Sequence, residues 1–124
     1  MLPAELEQAI ARELASTEPR ALASAARRLT ERYQRGEFAV ALRDPADRAA
    51  YLAVRFPATF AASHNVFGHV RERLLDARFT SLLDLGAGAG AATWAAAAVL
   101  GVDPFDQPAV EEGKVLAKRY LAGA

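Results

Sequence analysis

The stretch Asp84-x-Gly86-x-Gly88-x-Gly90 holds the residue types and spacing most able to do chemistry. Glycines at alternate positions let the backbone turn sharply and let a ligand approach without meeting a Cβ. A strongly helix-forming run follows, from Ala91-Ala92-Thr93-Trp94 through Ala95-Ala96-Ala97-Ala98. The unpaired N–H groups that open such a helix favour an anionic group. Ahead of the glycines lies a short apolar run, Ser81-Leu82-Leu83-Asp84-Leu85, which predicts a strand with Asp84 near its carboxyl end. Strand, glycine turn and helix together form the opening of a βαβ unit.

Two ligands compete for that turn. A dinucleotide site asks for G-x-G-x-x-G/A, which Gly86, Gly88 and Ala91 satisfy. An S-adenosylmethionine site favours an acid two positions before the first glycine and then G-x-G-x-G. Asp84, Gly86, Gly88 and Gly90 fit that pattern more fully, with the ligand's carboxylate replacing pyrophosphate near the helix start. A tight structural turn with no ligand is the third reading. A ribose-binding acid belongs about 20 residues further on, at the end of a second strand. Asp103 is too close to Gly90 for that, and no apolar strand leads into Asp106, Glu111 or Glu112, so the ribose half of the site is expected to be absent.

The elements that must hold this turn are mostly helical. Pro3 with Leu6, Ala9, Ile10 and Leu14 predicts an amphipathic helix over residues 3–15. Thr17 and Pro19 restart a helix whose stripe is Leu22, Ala25, Ala26, Leu29 and Tyr33, closed by Gly36. Arg27, Arg28, Arg32 and Arg35 lie on or beside its other face, as a solvated surface or as a patch for RNA phosphates. Asp44-Pro45 caps a helix through Tyr51, Leu52 and Val54, and Pro57 is expected to interrupt it. Phe60, Ala61, Phe67, Val70 and Leu74 mark the next helix. His64 and His69 are poorly spaced for two metal ligands on one face, and read as surface or lining residues. The expected organisation is a helical region over 1–78, a strand, glycine turn and helix over 79–100, and a tail helix over 101–124.

Composition bounds the rest. The 124 residues carry fifteen basic and fifteen acidic side chains, which argues against a polybasic or acidic tail. Thirty of the apolar residues are alanine, leaving 35 larger ones, enough for one core and too few for two. Without cysteine there is no disulfide, Cys-ligated zinc or iron–sulfur cluster. No apolar run reaches the roughly 18 to 20 residues of a membrane span, and Glu5, Glu7, Arg12 and Glu13 do not read as a signal peptide. A cytoplasmic chain without membrane partners is expected.

Several blocks carry a resemblance: Leu2-Pro3, Leu29-Thr30-Glu31-Arg32-Tyr33-Gln34-Arg35-Gly36, the run from Tyr51 through Arg55, Pro57 and Thr59 to Ala62, and the run from Ser81 to Ala96. Over residues 2–98 the chain resembles the small-ribosomal-subunit assembly methyltransferase-like family, whose mitochondrial members act on the small mitoribosomal subunit. The resemblance implies a helical region leading into a Rossmann-like α/β methyltransferase unit. It also implies S-adenosylmethionine binding at Asp84, Gly86, Gly88 and Gly90, with ribosomal RNA or the small ribosomal subunit as partner. The family's later strands and cluster-binding cysteines are missing, so the unit is read as truncated and catalytically incomplete, its cofactor affinity weak or lost. A lone strand has unpaired edges, so it is expected to pair with another chain as a homo-oligomer through the strand edge, to pair with part of the tail, or to be poorly ordered.

The tail from Leu100 to Lys114 resembles the C-terminal signature of glucose-6-phosphate isomerase. That resemblance places an active-site lysine on Lys114 and a glutamine on Gln107. A competing reading takes Pro108–Ala117 as a divergent form of the first family's next helix. Beside the leading reading stand two alternatives, a non-catalytic helical interaction module and an isomerase fragment.

Overall fold

A computed structural model describes residues 2–37, 42, 44–103, 119 and 122–123. The described residues form α1 (Ala4–Ala15), α2 (Pro19–Gln34), α3 (Pro45–Ala50), a π-helical turn (Tyr51–Arg55), α4 (Phe56–Arg73) and α5 (Ala91–Leu100). The mostly α expectation holds. Most residues of the expected tail helix lie outside the described residues.

Local chemistry accounts for most helix ends. Glu18 caps α2 by accepting a hydrogen bond from the Ala21 N–H at 2.8 Å, with Pro19 at the first helical position. Gly36 follows α2 with φ +77°, in the left-handed region that helix ends favour. Asp44 Oδ1 accepts from the Asp47 N–H at 2.8 Å, which opens α3.

Pro57 does not break the helix. Arg55 and Phe56 both keep helical angles, and α3, the π-helical turn and α4 run on without a gap. Proline lacks an N–H and its ring crowds the carbonyl four residues back. Just before it, the Phe56 N–H donates five residues back to the Tyr51 carbonyl. That wider turn relieves the crowding, so the irregularity is a π-bulge rather than a chain break.

Three apolar clusters hold the helices together. Phe56 and Phe60 meet Ala91 and Ala95 of α5, with Leu2, Leu6 and Ile10 from the N-terminal segment packed against them. Burying each phenylalanine contributes on the order of 2–3 kcal/mol. Ala25 and Leu29 of α2 pack on Ala50 of α3, with Leu22, Ala26 and Tyr33 around them. Ala96, Leu100 and Val102 form the third cluster with Phe67 and Phe79. Alanine on the inner face of α5 lets it lie close along α4, and the Arg71 guanidinium donates to the Val99 carbonyl at 3.2 Å. That contact satisfies a carbonyl in the last turn of α5 and places a cation at the negative end of its dipole.

The expected strand is absent: among the described residues no strand forms, and residues 77–84 have no regular secondary structure. A strand needs a partner to accept its ladder bonds, and a sheet needs more than one. With no second strand beside it, the apolar run stays irregular and open, with Leu83 77% and Leu85 83% exposed. Oligomerisation through a strand edge therefore has no strand to rest on among the described residues. No described helix is long and apolar enough to cross a membrane.

Candidate functional site at the glycine loop

The loop from Leu85 to Gly90 joins the irregular segment before it to α5. Gly86, Gly88 and Gly90 all take positive φ, at 68°, 58° and 80°. A side chain at any of them would strain the backbone, which is why this sequence places glycine at alternate positions. The Gly90 N–H donates to the Ala87 carbonyl at 2.9 Å, and the Trp94 N–H donates to the Gly90 carbonyl at 2.9 Å. These bonds deliver the chain into α5 with no side chain capping its N-terminus. The amides of the first turn are thus available to an acceptor.

Asp84 is half-buried, and its Oδ2 accepts a hydrogen bond from the Thr93 hydroxyl at 2.7 Å. The contact ties the residue before the loop to the first turn of α5. One carboxylate oxygen is thereby engaged, while Oδ1 keeps its capacity to accept. The loop itself is open: a Cβ built on Gly86 meets nothing within 4 Å. Its inner side is bounded by two aromatic residues. A Cβ on Gly88 would lie 3.8 Å from the Tyr51 hydroxyl, and one on Gly90 would lie 3.7 Å from Cδ1 of Trp94. The structure therefore brings the sequence-predicted Asp84, Gly86, Gly88 and Gly90 together on one short segment. It adds Thr93, Tyr51 and Trp94, which motif reading did not assign to the site. Thr93 had a local signal, as the one hydroxyl in the alanine-rich start of α5. Tyr51 had none, because its approach is made across the fold.

The remaining candidates sit elsewhere. Lys114 and Gln107 lie outside the described residues. Of the α2 arginines, Arg28 pairs with Asp47 at 3.3 Å, while Arg32 and Arg35 both reach Glu37, at 3.4 and 3.2 Å. These pairs offset part of the charge that a phosphate-binding patch would present. His64 stacks at a tilt on Phe60 and His69 pairs with Glu72, both exposed. No group of three metal-ligating side chains occurs among the described residues. Arg55 lies over the Tyr33 ring at 4.0 Å, a cation–π contact that joins the π-helical turn to α2. Its buried Nε has no hydrogen-bond partner.

Helices bearing a glycine loop at an uncapped helix start define a mostly helical protein with an open glycine turn. The profile of the mitochondrial small ribosomal subunit Rsm22 family matches residues 45–116, from the start of α3 through the glycine loop and α5 into the tail. That is more than half of the chain, and the chain belongs to this family. No curated protein and no solved structure matches it. The match redraws the expected limits. The blocks at Leu2-Pro3 and Leu29–Gly36 lie outside it, whereas residues 101–116 lie inside it. The tail up to residue 116 is thus continuous with the family profile, and the isomerase resemblance gains no support.

Proposed function

We propose that the chain binds S-adenosylmethionine at the glycine loop and works in connection with the small ribosomal subunit as a methyltransferase-like protein. The observation that carries the cofactor reading is the run of three positive-φ glycines opening onto an uncapped helix start, with Asp84 oriented by Thr93. The residues fit the ligand's chemistry. The amides at the start of α5 suit its carboxylate, and Asp84 Oδ1 suits a hydroxyl or ammonium donor. When bound, the cofactor supplies an electrophilic methyl group. This chain's residues hold it, but a transfer site must also enclose the sulfonium, exclude water and align an acceptor. The exposed loop and the open Leu83 and Leu85 supply no such enclosure among the described residues. The Rossmann-like character of the unit belongs to the same proposal.

Isothermal titration of S-adenosylmethionine into the wild type and a Gly88→Val variant tests this reading. Heat of binding in the wild type and its loss in the variant are expected, since Gly88 has φ +58° and valine is strained there. Absent heats in both would overturn it. The second reading, a non-catalytic helical interaction module, is favoured by the exposed apolar side chains of Leu75, Leu83 and Leu85.

A further inference from the structure

We propose that Tyr51 is a ligand-binding residue of the glycine loop, its phenol donating a hydrogen bond to the ligand's carboxylate, an inference that rests on the cofactor reading above. Tyr51 opens the π-helical turn, and its hydroxyl lies 3.8 Å from the position a Gly88 Cβ would occupy. The ring is not free to swing away, because it packs against both the Phe56–Phe60 cluster and the Ala25–Leu29–Ala50 cluster. Yet among the described residues the hydroxyl at its tip makes no hydrogen bond, and it is not a buried orphan. A fixed phenol with an unused donor beside a glycine is positioned to serve a group that enters the loop. Gly88 lies three residues before the start of α5, the end of the loop where free amides favour a carboxylate. The π-bulge has a consequence here. An extra residue in the turn changes the angular position of Tyr51 relative to α4, and π-bulges recur at functional sites. The helical region thus contributes one wall of the site rather than acting only as a separate module.

The test compares the wild type with Tyr51→Phe, which keeps the ring in both clusters and removes only the hydroxyl. Both are titrated with S-adenosylmethionine and with 5′-methylthioadenosine, which has the nucleoside and the sulfur but no carboxylate. Loss of one hydrogen bond predicts roughly three- to tenfold weaker S-adenosylmethionine binding in the variant. Unchanged 5′-methylthioadenosine binding and an unchanged melting temperature are expected beside it. In the wild type, the carboxylate ligand should shift the ring resonances of Tyr51 and leave those of Tyr33 in place. Equal affinities of wild type and variant for S-adenosylmethionine would overturn the role of Tyr51 while leaving the cofactor reading intact. Equal weakening for both ligands would overturn the carboxylate assignment. No binding by the wild type would sink both inferences together.

Discussion

Replacing Thr93 with valine tests whether the Asp84 contact organises the loop. Valine keeps the branched shape and deletes the hydroxyl that donates to Oδ2 at 2.7 Å. Hydrogen bonds to charged groups contribute about 1.5–3 kcal/mol. Asp84 is only half-buried, so water recovers part of this, and the expected loss is about 1 kcal/mol. For a chain of this size that corresponds to a melting temperature lower by about 3–6 °C. The chain's single tryptophan, Trp94, lies beside Gly90, so its fluorescence reports on this part of the fold. Urea denaturation followed at Trp94 for wild type, Thr93→Val, Asp84→Ala and the double variant closes a double-mutant cycle. A coupling of about 1 kcal/mol is expected, because once either partner is gone the second substitution costs little. Thr93→Ser, which restores the hydroxyl, should recover most of the loss. Additivity within about 0.3–0.5 kcal/mol would refute the contact as an energetic link.

Two further outcomes follow from packing and capping. Phe60→Ala empties the centre of the α1–α4–α5 cluster, where Phe60 is only 1% exposed, and should cost about 3–5 kcal/mol in denaturant unfolding. Asp44→Ala removes the bond to the Asp47 N–H and should lower stability by about 1 kcal/mol, whereas Asp44→Asn should retain most of it.

Motif reading placed a sharp turn at the three glycines because backbone conformation is a local property. Left-handed φ at alternate positions all but requires glycine, and the residues carry that requirement visibly. It could not locate Tyr51 or the pairing of Arg28 with Asp47, since these depend on where side chains end up in space. The arginines of α2 look like a basic patch in one dimension and are partly neutralised in three.

By itself the amino-acid order determined the helices of this protein and the bend at residues 86–90. Apolar spacing, Asp44-Pro45, Gly36 and the alanine run act within a few residues of one another, so no distant partner is needed. Tertiary structure alone decided two other matters. The run from Ser81 to Leu85 has the composition of a strand, but β pairing is an agreement between two segments, and no second strand meets it among the described residues. The helix continues across Pro57 because the bulge at Tyr51–Arg55 absorbs the proline and the phenylalanines on either side are buried against α5. Burial there outweighs a local preference worth a few kcal/mol.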